Sequence, residues 1–487
     1  MKKQTKLVAV LSTAALLAIG ASMTSFAATG WAEEDGTWVY YDRNGDKVTD
    51  KWAKSGNNWY YLDNNGEMAI DTLIEDGDNY YYVDVNGVMA ANQWVAIDNE
   101  DAGDDDEPEH YWYYFQANGK ALKQGDSDTV SLKTVNGKKY AFDDEGKMLY
   151  GWVSSDNAER IDNTDDDAFK DGVYYFGGED DGAMTTGWLL IDVSYDEATN
   201  DDYKYTAPTF NDDDDQTRWF YFKSNGKRAE NEKVTYKGKS YYFDTDGKML
   251  TGWVNTGDGT SAINEANGYE AGHTFYCDET GARVEGAWVK DTKPGTSDDD
   301  ADEDEHWYYL KKTTGKPATG KQANVNGQIY IFNDQAEMLY GWVAKIASGS
   351  NATWEQLNEE DNERAMNAND IEVYYCGDED DGHAKKNKWA KTWLPEDKKE
   401  ESDDMKWFWF DKNGKLYRTE ATASNAIQYD FKDGVVTPKK NDDGTNKEFA
   451  VSKKKVNSKD YWFRKDGAML SKFYMVDGKM YYFGGGD

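Results

Sequence analysis

The ten residues Trp59-Tyr60-Tyr61-Leu62-Asp63-Asn64-Asn65-Gly66-Glu67-Met68 constrain this chain more than any other feature, because related copies recur from its N-terminal part to its last residues. An aromatic run, an Asn-Gly step and a closing apolar residue read as a β-hairpin. Asn-Gly tolerates the positive φ that a tight reversal needs, and aromatic side chains suit a pleated, half-buried surface. Three copies follow one another closely, with aromatic quartets starting at Trp38, Trp59 and Tyr80 and turns ending at Gly45, Gly66 and Gly87. Later quartets start at Trp112, Lys139, Val173, Trp219, Ser240, Thr274, Trp307, Ile329, Val373, Trp407 and Asp460. A degenerate copy lies around Tyr429 to Gly434 and a cut-off one at Tyr481 to Phe483. A lone hairpin is marginal in water, so each must cover its neighbour's rings. The expected fold is therefore all-β, an elongated hairpin array of about fifteen short repeats without a single central core.

Alternation of side chains across a strand assigns the faces of the quartet. The second position (Tyr60, Tyr81, Tyr113, Tyr140, Tyr174, Phe220 and onward) and the fourth (Leu62, Val83, Phe115, Phe142, Phe176, Phe222 and onward) stay apolar in every copy and are expected to line the shared core. Positions one and three vary, from Trp59 and Tyr61 to Lys139 and Ala141, and form the face where function can differ. A longer period begins at Trp94. Each long unit holds a Trp-rich hairpin, a second ending in a motif such as Met148-Leu149-Tyr150-Gly151-Trp152, and a third of Val-Tyr-Tyr-Phe type. The domain reading is a leader at 1–27, compact repeats at 28–93, and long three-hairpin units at 94–487 with the last hairpin incomplete.

Acid concentrates in the spacers, in Asp98 to Glu109, Asp162 to Asp167, Asp212 to Asp215 and Asp298 to Glu305, which read as solvated loops. Asn351 to Met366 is expected to form a short helix. With 93 Asp and Glu against 55 Lys and Arg, a net charge of −38 repels phosphate backbones and argues against nucleic acid as a partner. Lys2, Lys3 and Lys6 before the apolar run Leu7 to Ala21, closed by Ser25-Phe26-Ala27, read as a secretory signal. No other segment is apolar enough for a membrane span. Cys277 and Cys376 occupy the slot of Phe176 in their own copies, one long repeat apart. They are therefore expected to be buried thiols beyond the roughly 7 Å Cα separation of a disulfide.

The succession Gly-Trp, gap, Trp-Tyr-Tyr, turn, Gly-x-Met, Thr-Gly-Trp resembles the cell-wall-binding repeats of Gram-positive surface proteins, the choline-binding and glucan-binding repeats. Asn58 to Met68 and Tyr241 to Trp253 carry the likeness most fully. The resemblance implies a β-hairpin solenoid of roughly three hairpins per turn. It also implies secretion to the cell wall or extracellular surface, and ligand pockets between hairpins walled by Trp and Tyr rings. A quaternary ammonium has no hydrogen to donate, so ring faces hold it, at about 0.5–2 kcal/mol per ring. The same rings can stack on sugars. The partners implied are the choline of a teichoic acid or a glucan-type polysaccharide. Carried over by position, the ligand-binding candidates are Trp52 with Trp59 and Tyr61, Tyr80 with Tyr82, Trp94 with Trp112 and Tyr114, Trp188 with Trp219 and Tyr221, Trp288 with Trp307 and Tyr309, and Trp389 with Trp407 and Trp409. Lys139 and Ala141, Ile329 and Ile331, and Ala336 in place of a turn glycine depart from the pattern, so about one competent site per long unit is expected. Packing between hairpins is the alternative role for each Trp.

Catalysis finds little support: His110, His273, His306 and His383 are scattered, and acid pairs cannot be singled out from the runs. No cofactor is expected, beyond weak and irregular Ca²⁺ binding by the acidic loops. The leading reading is a secreted, non-catalytic wall-binding or glycan-binding protein. The alternatives are the targeting part of an enzyme whose catalytic domain lies elsewhere, or a surface filament that self-associates by end-to-end stacking.

Overall fold

The computed structural model describes residues 29–102, 107–156, 158–161, 168–192, 217–263, 268–296, 304–346, 353–357, 366, 368, 370–395, 405–419 and 423–484. The leader at 1–27 and the acidic runs at 162–167 and 212–215 lie outside them, as do most of 298–305 and part of 98–109. The chain divides into two units, Met1–Thr185 and Thr186–Asp487.

The first unit is a succession of two-stranded antiparallel sheets: Gly30–Glu34 with Thr37–Tyr41, Lys51–Ser55 with Asn58–Leu62, Thr72–Asp76 with Asn79–Val83, Gln93–Asp98 with His110–Phe115, Lys133–Val135 with Lys138–Tyr140, and Gly151–Val153 with Tyr174–Phe176. A four-residue helix, Ala168–Asp171, precedes the last strand.

The second unit repeats the scheme and adds two three-stranded sheets and a terminal six-stranded one. In the terminal sheet Ser424–Lys432 pairs with Val435–Pro438, Glu448–Val456 and Phe473–Val476, and Phe473–Val476 pairs with Lys479–Tyr482. Thr353–Gln356 is a strand on the edge of Trp342–Ile346, not part of the expected helix. Trp354 there lies 5.6 Å from the Tyr374 ring, and cross-strand packing of that ring overrides the weak helical pattern.

The sequence placed the hairpin reversal at Asn65-Gly66, and this is corrected. The aromatic strand Asn58–Leu62 pairs backwards with Lys51–Ser55, and the reversal lies at Gly56 and Asn57. After Gly66 there are only isolated bridges, Leu62 to Met68 within the copy and Val39 to Glu67 across to the previous hairpin. The reason is hydrogen bonding between repeats: Met68 N donates to Trp38 O of the previous hairpin at 2.7 Å, and Met89 N to Trp59 O at 2.9 Å. The arm is thus a tie between hairpins. Its turn is held by the Asp63 carboxylate, which accepts from the N–H of Asn65 at 2.9 Å and of Glu67 at 2.8 Å. Ala336, standing where a turn glycine was expected, adopts φ 66 and is fully buried, so this turn is kept without glycine.

Burial separates the two positions that the sequence grouped as core. At the fourth, Leu62, Val83, Phe115, Phe142, Phe176, Phe243, Leu310, Phe332, Cys376, Phe410 and Phe463 are at 0% exposure, and Phe222 and Cys277 at 1%. At the second, Phe220, Tyr308 and Phe408 are buried, whereas Tyr60, Tyr81, Tyr241, Tyr330 and Tyr461 are only half-buried.

Candidate aromatic binding site

Strand register sets the first two walls of a recurring ring cluster. Trp288 stands opposite Tyr309, and Lys290 opposite Trp307, so all four side chains share one face while Val289 and Tyr308 occupy the other. Trp288 lies 5.2 Å from Tyr309 and 6.4 Å from Trp307, the two indoles at 85°. The next hairpin then lays its core positions onto this face. Tyr330 comes to 4.7 Å from Trp288 and Phe332 to 5.8 Å. Met338 N donates to Trp307 O at 2.9 Å, which brings the Met338 side chain to the same cluster. The result is a cleft of about 220 Å³ lined by Trp288, Trp307, Tyr330, Met338, Asp380 and Asp381. Its size falls below the roughly 300 Å³ at which drug-sized sites begin and suits a small headgroup.

The same construction recurs. In the first unit Trp94 lies 5.2 Å from Tyr114, 4.9 Å from Tyr140 and 5.9 Å from Phe142, and Met148 N donates to Trp112 O at 2.8 Å. Near its start Trp52 lies 5.1 Å from Tyr61 and 5.0 Å from Tyr81, with Trp59 at 39% exposure. In the second unit Trp188 lies 5.1 Å from Tyr221, 6.3 Å from Trp219 and 4.8 Å from Tyr241, and Trp219 is 44% exposed. Trp389 lies 5.3 Å from Trp409 and 4.8 Å from Tyr461, and Met469 N donates to Trp407 O at 2.8 Å.

The structure therefore brings rings from five of the six expected groups into clusters, with Trp59 and Trp407 tied in through carbonyls that accept from Met89 and Met469, and leaves one group apart. Tyr80 and Tyr82 face Leu73 where the others have a Trp, and they pack against Tyr113 and Phe115, with Tyr82 stacked on Phe115 at 6.1 Å. Tyr61, Tyr114, Tyr221, Tyr309 and Trp409 meet their Trp within its own hairpin, and Trp409 is buried. What sequence reasoning missed is the third wall, Tyr81, Tyr140, Tyr241, Tyr330 and Tyr461, together with Met148, Met338 and Met469. The signal was available: a Met two residues after the turn position, at Gly146, Ala336 and Gly467, in copies that follow a Trp-rich hairpin.

Among the described residues no group of three or more His, Cys, Asp or Glu is arranged to hold a metal ion. Cys277 and Cys376 are free and buried, and burial pushes the Cys277 thiol up to about 12 and the Cys376 thiol higher still. No helix among the described residues is long and apolar enough to cross a membrane.

Comparison with known proteins matches residues 28–73 and 51–94 to the choline-binding repeat, and residues 234–249 to a cell-wall-binding repeat. Glucosyltransferase-S of Streptococcus mutans serotype c is 27% identical over 233 residues, 48% of this chain and 11% of that protein. Glucosyltransferase-I of Streptococcus downei is 25% identical over 402 residues, 76% of this chain and 21% of that protein. The chain thus spans between about a tenth and a fifth of the length of these curated relatives. Among solved structures, choline binding protein F from Streptococcus pneumoniae is 20% identical with a TM-score of 0.33, over 80% of this chain and 98% of that one. The modular autolysin LytC from the same species, in complex with a synthetic peptidoglycan ligand, is 18% identical with a TM-score of 0.34, over 65% of this chain and 54% of that one.

Proposed function

Because this chain carries repeats of the choline-binding, cell-wall-binding family, we propose that it is a non-catalytic binding protein that captures choline headgroups of a wall polymer in its ring clusters. The observation that carries the reading is the recurrence of one construction, two Trp from one hairpin with a Tyr and a Met from a later one, at Trp94, Trp288 and Trp389. A trimethylammonium group offers no hydrogen-bond donor. It is held by ring faces and by contact with the Met thioether, and three rings at about 0.5–2 kcal/mol each suffice for capture. On this reading the hairpins of each unit form a solenoid with roughly three per turn, the repeats at 28–93 precede longer units at 94–487, and the leader-like Met1 to Ala27 directs the chain to the wall.

Titration calorimetry with choline tests this directly. Trp307→Ala and Trp219→Ala are each expected to remove one site from the stoichiometry without changing the circular dichroism of the chain. Full stoichiometry in both variants would overturn the assignment. A second reading, the wall-targeting or glucan-targeting part of a longer enzyme, is favoured by the small share of the glucosyltransferases that the match covers, 11% and 21%. It predicts heat on titration with α-glucan oligosaccharides in place of choline.

A further inference from the structure

Two of the clusters receive a carboxylate from the hairpin after next, whereas at Trp52 the indole N–H donates to Asp76 Oδ2 of the next hairpin, at 3.1 Å. Trp112 Nε1 donates to Asp180 Oδ1 at 3.0 Å, and Trp307 Nε1 to Asp380 Oδ1 at 3.4 Å. Neither aspartate belongs to the hairpin of its Trp or to the next one, since each sits on the turn of the hairpin after that, between Phe176 and Met184 in one unit and between Cys376 and Ala384 in the other. These turns are longer than the rest. Gly182 follows Phe176 by six residues and Gly382 follows Cys376 by six, whereas Gly66 follows Leu62 by four and Gly281 follows Cys277 by four. Their closing bonds change accordingly, from Gly281 N to Asp278 O, three residues back, to Gly182 N to Gly178 O and Gly382 N to Asp378 O, four back.

The base of each long turn is seated on the cluster by its glycine. A methyl at Gly182 would collide with Met148 Sδ, and one at Gly382 with Met338 Sδ. With the base fixed, the two added residues carry the carboxylate across the intervening hairpin to the mouth of the cleft. Each already leans on a basic side chain at the rim, His110 Nε2 at 3.2 Å from Asp180 and Lys290 Nζ at 4.0 Å from Asp380. Lys290 Nζ also lies 5.9 Å from the Trp307 ring centre, so ring and carboxylate together already attract one ammonium. Such exposed pairs hold weakly and yield to a ligand that also fills the rings.

We propose that the lengthened turns make Asp180 and Asp380 specificity residues, which render these two clusters selective for a cationic headgroup over a neutral alcohol or sugar of the same shape. The inference rests on the choline reading above. An acceptor charge at the cleft mouth adds Coulomb attraction that an uncharged ligand does not feel, and it acts through partly solvated surroundings, so its effect is moderate and fades with salt. The cluster of Trp188, Trp219 and Tyr241 is followed by the ordinary-length turn at Asp278 to Gly281 and serves as the internal comparison.

The test uses the whole chain and two probes, choline chloride and its uncharged isostere 3,3-dimethylbutan-1-ol. Asp180→Asn with Asp380→Asn keeps an oxygen to accept the indole N–H, and both side chains are mostly exposed, at 69% and 82%, so folding is not at risk. In calorimetry at low salt the double variant is expected to weaken two choline sites about 3- to 10-fold, with the difference shrinking at high salt. The neutral isostere should bind it unchanged, and Glu279→Gln in the ordinary turn should leave choline binding as it was. Unchanged choline affinity in the double variant, or an equal loss for the isostere, would overturn the role of the aspartates while leaving the binding reading intact. Absence of choline binding by the unaltered chain would overturn both.

Discussion

At the fourth quartet position the side chain is buried in every copy from Leu62 to Phe463, with only Tyr41 of the first copy half-buried, and its chemistry follows from that. Phe, Leu and Val fill the slot in most repeats, and a cysteine fills it at 277 and 376. A thiol there is a small apolar group whose anion burial disfavours, so it is neither a nucleophile nor a disulfide donor in the folded chain. At pH 8 a thiol reagent such as dithionitrobenzoate is expected to report no reactive cysteine in the native protein and both after unfolding in guanidinium; rapid native labelling would contradict the burial. Position two is legible only in part, since an aromatic residue there serves either core or cluster. Tyr308 is fully buried on Trp253, at 4.8 Å, while Tyr330 keeps its rim exposed beside Trp288. The difference lies in what surrounds the ring, which the residue's own identity does not encode.

The hairpin itself shows how an element can be recognised while its connections are misread. Asn-Gly and Asp-Gly steps do mark turns, yet the turn at Asp63 to Gly66 does not close the ladder; it aims Met68 at the carbonyl of Trp38 in the neighbouring repeat. Two-strand pairing runs instead through Gly56 and Asn57, a reversal that leaves Trp52 opposite Tyr61. The same pairing shows where two of the spacers begin and end. Asp98 pairs with His110, and Asp291 with His306, so each ladder is closed at its end by an acid–histidine pair, and the segment joining the two strands can lengthen without disturbing it. Because one Asp63 oxygen accepts two backbone N–H groups, Asp63→Ala should lower stability by about 1–3 kcal/mol in urea unfolding. It should also speed hydrogen exchange at Met68, the amide that ties the repeats, and an unchanged exchange rate there would separate the turn from the tie.

On the scale of the whole chain, 93 acidic residues against 55 basic ones oppose compaction, and two turn carboxylates add to this. Burial pushes Asp143 and Asp244 up to about 6, against backbone bonds from Lys147 and Lys248 that pull the other way. A carboxyl whose folded value exceeds its unfolded value of 3.8 holds its proton more firmly when folded, so stability falls as pH rises from about 4 through about 6. The melting temperature is therefore expected to be higher at pH 5 than at pH 7, and scanning calorimetry of the wild type beside Asp143→Asn and Asp244→Asn reads this out. A melting temperature that rose from pH 5 to pH 7 would contradict the sign.

By itself the sequence determined that the chain is an array of β-hairpins, that its rings and not a large aliphatic core hold it, and that the fourth position of the repeats from Leu62 onward is buried. Those features repeat locally and depend on alternation and turn chemistry within about ten residues. Only the tertiary structure decided which rings meet. The clusters at Trp94 and Trp288 take walls from the next hairpin and a carboxylate from the one after, and Asp380 lies seventy-three residues from the Trp307 it contacts. No pattern within one repeat specifies that separation, because it is set by how successive hairpins stack and by two extra residues in one turn.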